Sequence, residues 1–412
     1  MALNFVWLAF FIIAFLVGLY KMIFLNDIDV FSKVMNGMFD SAKTGAEISI
    51  GLVGIMTFWL GIMRVGEKAG MINRMARLLN PFFTKLFPGV PKNDPALGSV
   101  FMNFSANALG LDNAATPIGL KAMKQLQDLN PTPETATNAQ IMFLVLNTAG
   151  LSIIPTSVIA MRLAQGSANP AEIFIPTLIG TFISFMSGLI AVAFFQRINL
   201  FKPSILAFVG IIAGFMALML FAIKDLPPDR MAAVTGAIGG TMIIGIIIAF
   251  LVAGMLSKIN VYEVFIDGAK EGFTTSVMII PYLVAILVAI SAFRVTGCLD
   301  FIINGIGSFF AMLGVNTDFV PALPVGFMKS LSGGGARGFM VDIFADPRYG
   351  PDSFVGRLAS IMNGSTETTF YVLAVYFGSV GIKNTRHALV CGLIADLIGI
   401  IAAIIIAYIF YH

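Results

Sequence analysis

The chain carries one pattern twice. Asp40-x-Ala42-Lys43-x-Gly45 returns as Asp267-x-Ala269-Lys270-x-Gly272, 227 residues later. At the same spacing Gly70 meets Gly297, and Phe82-Phe83 meets Phe309-Phe310. One deleted residue further on, Pro95-Ala96-Leu97 and Phe101-Met102 meet Pro321-Ala322-Leu323 and Phe327-Met328, and Asn147 can be set against Asn363. The duplicated chain is also very apolar. Of its 412 residues 58% are hydrophobic and 11% charged, against roughly 25% charged in a soluble domain. One soluble core could not hide that much apolar surface, so lipid is the solvent. A duplication in such a chain is the mark of a transporter built from two related halves, with its site where they meet.

The same composition argues against several other functions. A net charge of +3 with no basic block interleaved with aromatics speaks against nucleic acid. Cys298 and Cys391 are too few for a disulfide framework and lack metal-type spacing. His387 and His412 alone do not suggest a histidine-rich metal site or a Ser-His-Asp triad. No activated nucleophile or metal set is visible, so an enzyme is not expected.

A span needs about 20 apolar residues. By that measure Met1–Tyr20, Ile173–Phe195, Pro203–Ile223, Met231–Ser257, Gly272–Phe293 and Leu397–His412 qualify, as does Ala136–Met161, interrupted by Asn147 and Pro155. The shorter Ile48–Met63 and Thr368–Ile382 bring the expected crossings to nine. Met1–Tyr20 has no basic region before it and no small-x-small site after it, and reads as an uncleaved spanning helix. Asp27–Glu47 and Lys258–Glu271 mix charge with apolar residues at helical spacing and read as interfacial amphipathic helices; Arg64–Lys92 is similar and strongly basic.

Two segments do not fit simple spans. Pro95–Gln127 has two short apolar stretches around a polar middle, Asn103 to Asn113, and Pro321–Phe344 has the same plan around Lys329 to Gly338. Each reads as a re-entrant hairpin of two half-helices, whose irregular tip survives only where protein or a wet cavity satisfies it. Five crossings lie between the hairpins, so the second enters from the opposite face and the halves are inverted. Placing the N-terminus inside puts Arg64–Lys92, Arg197/Lys202, Lys258/Lys270 and Lys383/Arg386 inside too, and the C-terminus outside. The expected fold class is therefore an all-α polytopic membrane protein with inverted repeats, two re-entrant helical hairpins and broken transmembrane helices.

The candidate site residues sit at these irregular points. Asn103, Asn107, Asp112, Asn113 and Thr116 surround the first tip, where Asp112 or Asn113 suits a helix N-cap region before Pro117. They either only cap the hairpin or also face a solute. In the second tip, Ser330-Leu331-Ser332-Gly333-Gly334-Gly335-Ala336-Arg337-Gly338 formally fits a dinucleotide fingerprint, but no βαβ unit surrounds it. The glycines instead let backbone N–H groups face an anion or polar group at a half-helix start, with Ser332, Gly334 and Arg337 as candidates. Arg337 either adds a fixed positive charge there or snorkels to the surface.

Asn147 and Ser152 flank a stretch that Pro155 unwinds. Asn363-Gly364-Ser365-Thr366-Glu367-Thr368-Thr369 is too polar for a lipid-facing helix, which nominates Asn363, Ser365, Thr366 and Thr369. Glu367, a carboxylate expected deep in the membrane, couples a proton or cation, or else pairs with Arg337 or Arg357. Asp396 is a second candidate.

Specific strings carry a resemblance. Asn113-Ala114-Ala115-Thr116-Pro117-Ile118-Gly119-Leu120-Lys121-Ala122-Met123 and Leu146-Asn147-Thr148-Ala149-Gly150-Leu151-Ser152-Ile153-Ile154-Pro155-Thr156 resemble spore maturation protein A. Ile280-Pro281-Tyr282-Leu283-Val284-Ala285, Gly350-Pro351-Asp352-Ser353-Phe354 and the run from Gly364 to Gly378 resemble spore maturation protein B. The chain looks like the two fused, within the nucleoside-recognition or gate superfamily, which the concentrative nucleoside transporters also resemble. That resemblance implies inverted hairpin repeats. It divides the chain into an N-terminal transmembrane helix (1–27), a first gate repeat (28–200), linking helices (201–257) and a second gate repeat (258–412).

The resulting expectation is a multi-pass protein of a bacterial cytoplasmic (inner) membrane. It would carry a small polar solute, nucleoside-like or anionic, through a midplane site between the repeats, coupled to Na+ or H+ and without a cofactor. Its partners would be that solute, the lipid bilayer and, in a homo-oligomer, copies of itself. The rival reading is a non-transporting scaffold in spore maturation or envelope assembly.

Overall fold

The computed structural model describes residues 2–91, 93–223 and 226–412, without the side chains of residues 2–3, 112–114, 222–223 and 228–229. Among them the chain is helical throughout. In order the helices are α1 (Ala2–Phe24), α2 (Val30–Lys68), α3 (Met71–Phe83), α4 (Pro95–Ala108), α5 (Asp112–Asp128), α6 (Asn138–Thr148), α7 (Thr156–Ala164), α8 (Phe174–Gln196), α9 (Pro203–Ile223), α10 (Pro228–Leu256), α11 (Val261–Val295), α12 (Cys298–Met312), α13 (Leu323–Leu331), α14 (Gly333–Ala345), α15 (Phe354–Ser365), α16 (Thr369–Ser379) and α17 (Ala388–Tyr411). Short 3-10 turns cover Pro170–Ile173 and Val320–Ala322. Among the described residues seven helices are long and apolar enough to cross a membrane: α1, α2, α8, α9, α10, α11 and α17. Of the other two expected crossings, Ala136–Met161 is the broken pair α6/α7, and Thr368–Ile382 is the short helix α16, which follows α15 after a break.

The duplication is visible in the order of elements. A long helix (α2, α11) ends at a left-handed glycine, Gly70 (φ 77°) or Gly297 (φ 82°), which only a residue without Cβ adopts cheaply. A short helix follows (α3, α12), then two half-helices (α4/α5, α13/α14), a broken pair (α6/α7, α15/α16) and a closing span (α8, α17). Helices α1, α9 and α10 stand outside this scheme.

Helices α2 and α11 run antiparallel against each other, as do α8 and α17. Along α2 and α11, Gly37 faces Ser291 and Val295, Gly45 faces Val284 and Leu287, and Gly272 faces Met56 and Thr57, so one number falls as the other rises. Along α8 and α17, Gln196 meets His387, Ser184 bonds the Ala395 carbonyl, and Glu172, just before α8, meets Tyr411. Small residues let these backbones approach. A Cβ at Gly272 would lie 2.6 Å from the Met56 carbonyl oxygen and the Thr57 Cα, and one at Gly268 would strike the Leu60 carbonyl.

Three sequence expectations change. Asp27–Glu47 is not a separate interfacial helix: from Val30 it is the first half of the 39-residue α2. Lys258–Glu271 likewise runs, from Val261, straight into the 35-residue α11. Charge alone does not break a helix; no proline lies in α2, and the apolar faces of α2 and α11 continue through the charged turns against each other. At 1.5 Å per residue α2 is roughly 58 Å long, more than the roughly 30 Å hydrocarbon core, so its charged end has room outside lipid. The final span begins at Ala388 rather than Leu397, because Asp396 is accommodated inside it.

Polar clamps join the halves at both ends of the α8/α17 pair. At one end Arg162, fully buried, donates to Glu172 (2.6 Å), Asp352 (2.8 Å), Ser167 (3.1 Å) and the Pro351 carbonyl (2.6 Å). Arg357 donates to the same Glu172 at 2.7 Å, and the Tyr411 hydroxyl to its carbonyl at 3.1 Å. At the other end Lys383 pairs with Glu134 (2.6 Å), and the Ala136 amide donates to the Asn384 carbonyl at 3.0 Å.

Two outcomes follow. Glu172→Ala leaves the buried Arg162 with Asp352 alone and takes the carboxylate partner of Arg357, so thermal unfolding of the purified protein should show a loss of about 3–5 kcal/mol, the cost of removing one partner of a buried cluster. Gly272→Leu should destabilise by about 1–3 kcal/mol or more through overpacking, whereas Gly240→Leu, with open space around its Cβ position, should not.

Candidate functional site

The four irregular points converge. In the first half the α4/α5 turn passes through Gly110 at φ +72°. Helix α6 ends at Thr148, Gly150 takes φ +30°, and Pro155, with no N–H to donate, keeps the chain unwound until α7. In the second half the α13/α14 turn is the extended Ser332, whose hydroxyl caps α14 by accepting from the Gly335 amide at 3.1 Å. Helix α15 ends at Ser365, and Thr366, also extended, leads through Glu367 and Thr368 to α16.

The unwound backbones satisfy one another. The Glu367 amide donates to the Thr148 carbonyl at 3.0 Å, bonding one broken helix to the other, and the Ile153 amide donates to the Ala108 carbonyl at the end of α4 at 3.0 Å. Gly150 makes the crossing possible: a Cβ there would lie 2.6 Å from Glu367 Cγ.

Around this crossing opens a cavity of about 710 Å³. The size suits a small molecule. Asn107, Thr116, Asn147, Ser152, Ser332, Gly334, Arg337, Asn363 and Glu367 all line it. On one wall Asn107 donates to the Asn147 carboxamide oxygen at 2.8 Å, and the Tyr376 hydroxyl donates to the same oxygen at 3.5 Å. Gly333, Gly334 and Arg337, at the start of α14, also line the cavity. Among the described residues Arg337 makes no ion pair.

Glu367 differs from expectation. Its side chain is 51% exposed to the cavity rather than packed away, and its partner is Lys329 at 3.9 Å rather than Arg337 or Arg357. Arg357 is committed to Glu172. Other candidates lie behind the wall. Asn103 is fully buried and donates to the Ala115 carbonyl at 2.8 Å, tying α4 to α5. Ser365 donates to the Ile361 carbonyl, Thr366 is buried beside Gly399, and Thr369 donates to Asp396 at 2.7 Å. The side chains of Asp112 and Asn113 lie outside the described residues; their backbone opens α5.

Sequence reasoning missed Lys329, Tyr371 and Tyr376 as lining residues. A lysine inside an otherwise apolar half-helix was the available signal for the first; single tyrosines on an apolar helix gave none. A second cleft of about 470 Å³ lies between α12, α13 and α14, but its charges are spent on each other: Arg294 bonds Asp342, and Arg348 bonds Asp346 at 2.7 Å.

The family model for nucleoside recognition matches residues 49–165 and 276–383, together more than half of the chain. The chain belongs to the nucleoside-recognition family. Two relatives from Bacillus subtilis (strain 168) agree. Spore maturation protein B is 50% identical over 161 residues, 39% of this chain and 88% of that protein. Spore maturation protein A is 41% identical over 162 residues, 39% of this chain and 83% of that protein. Every cavity residue named above falls within the two matched segments, whereas α8 and α17 lie outside them. This member of the family is an all-α, multi-pass membrane protein.

Asn147→Leu should leave the Asn107 amide and the Tyr376 hydroxyl without their shared acceptor. A loss of about 1–3 kcal/mol in thermal stability is expected, with secondary structure by circular dichroism unchanged.

Proposed function

We propose that this protein transports a small polar solute across a bacterial cytoplasmic membrane and is not an enzyme. The observation that carries the reading is the single cavity at which both hairpin turns and both broken helices meet. Irregular backbone at membrane depth is tolerated where it lines a polar cavity, and paired broken helices are how secondary transporters build midplane sites. The antiparallel pairing of α2 with α11 and of α8 with α17 supports inverted repeats over 28–200 and 258–412, with the two hairpins entering from opposite faces. The distribution of Lys and Arg supports the N-terminus inside and the C-terminus outside.

The walls suggest the solute class. Arg337 and the Gly333 and Gly334 amides at the start of α14 suit an anionic or strongly polar group. The Asn107–Asn147 pair and Asn363 offer amides and carbonyls to hydroxyls or to the edge of a base. A nucleoside-like or anionic solute fits both, in line with the nucleoside recognition for which the family is named. Glu367 beside Lys329 is the coupling carboxylate in this reading, meeting H+ or Na+ from the cavity side. A scaffold in spore maturation would suit the relatives' names but gives the cavity no role.

Thermal-shift screening against nucleosides, amino acids and dicarboxylates should find at least one stabilising class, and proteoliposomes should accumulate it. Arg337→Gln should weaken binding of an anionic hit about tenfold or more, where each tenfold is about 1.4 kcal/mol. Glu367→Gln should abolish pH- or sodium-dependence of uptake. No binding and no flux across the panel would favour the scaffold.

A further inference from the structure

Behind the cavity wall lies a carboxylate that the site does not use. Asp396 is on α17, 2% exposed, and outside the cavity lining. Its Oδ2 accepts from the Thr369 hydroxyl at 2.7 Å, the Ser330 hydroxyl of α13 also reaches the carboxylate, and Oδ1, fully enclosed, has no partner at full hydrogen-bond geometry among the described residues. One turn earlier, Gly392 opens the space in which the two broken helices touch α17. A Cβ there would lie 2.8 Å from Thr369 Cγ2 and 3.2 Å from Thr148 Cγ2. The Thr148 hydroxyl is also fully buried and also without a partner among the described residues. Two oxygens without a full hydrogen-bond partner, one of them acidic, therefore lie on one face of α17 where both halves meet.

A charge stranded in this way is costly, and such groups are neutralised by a proton or paired with a cation. The surrounding groups decide between the two. Lys329 on α13 and Glu367 in the α15/α16 break act on Asp396 electrostatically. Ser330 and Thr369 approach from α13 and α16, Thr148 from α6, and Ser184 of α8 is bonded to the neighbouring Ala395 carbonyl. Helices α6, α8 and the body of α10 carry no charged residue, Arg357 of α15 is turned to Glu172, and Tyr371 and Tyr376 of α16 face the cavity. On α17 itself the nearest titratable group is the buried thiol of Cys391. One carboxylate with a few hydroxyls offers a metal cation few oxygen ligands, whereas a proton needs no additional space.

We propose that Asp396 is a proton-binding site, separate from the solute cavity. The step is proton addition to a carboxylate oxygen, with the proton taken from water. Coupling of that proton to solute movement rests on the transport reading above; proton binding itself does not, so each can fail alone.

The test is pH-difference infrared spectroscopy of the whole protein in lipid, without any solute. Wild type should show a carboxyl C=O band that appears as pH falls, shifted in frequency by Asp396→Glu and absent in Asp396→Asn. Thr369→Val, which removes the one hydroxyl bonded to Oδ2, should displace the band's midpoint, and Glu367→Gln should keep the band. A band that persists in Asp396→Asn, or disappears in Glu367→Gln, overturns the proposal. A band in wild type that changes with sodium at fixed pH but not with pH assigns the site to a metal cation and also overturns it. If Asp396→Asn does not fold, the frequency shift in Asp396→Glu and the displacement in Thr369→Val decide the matter, and no change in either counts against it.

Discussion

One backbone hydrogen bond, from the Glu367 amide to the Thr148 carbonyl, joins the two broken helices at their crossing. In lipid every peptide group must find a partner, and an unwound helix has several to place. Here each half supplies what the other lacks. The stretch after α6 also reaches back to the Ala108 carbonyl of its own hairpin. The cavity is the space left around this exchange. Its polar lining is thus the same set of residues that makes breaking the helices tolerable, and stability and site cannot be separated by position alone.

The long helices hold the crossing in register. Glycines at 268 and 272 bring α11 onto α2 with backbone against backbone, and the α8/α17 pair is pinned by the Arg162–Glu172 cluster at one end and Glu134–Lys383 at the other. Between these clamps lie the four irregular points. The charged clusters of Arg162–Glu172 and Glu134–Lys383 sit at the ends of the paired spans, and the carboxylate Asp396 lies near their middle.

Much of this was legible in the chain. The repeat of Asp40-x-Ala42-Lys43-x-Gly45, the glycine pair 70 and 297, and the polar runs at 103–113, 147–157 and 363–369 mark where helices bend, because Gly, Pro and hydroxyl-rich stretches have local conformational consequences. The resemblance to spore maturation proteins A and B came from the strings at 113–123, 146–156, 280–285, 350–354 and 364–378, which only partly overlap these runs, and agrees with the family match. What escaped was which polar residue faces inward. Asn103 and Asn107 are one turn apart on the same helix, yet Asn103 is consumed by the Ala115 carbonyl while Asn107 lines the cavity.

The sequence by itself determined the solvent, the helical class, the duplication and the places where helices break, since each depends on composition or on a residue's own backbone preference. Only the tertiary structure decided that α2 and α11 are single long helices packed antiparallel, that Glu367 pairs with Lys329, and that Asp396 is enclosed with one oxygen lacking a partner at full hydrogen-bond geometry among the described residues. Those are contacts between residues tens to hundreds of positions apart. No local preference encodes them; they follow from how two related halves fill each other's gaps.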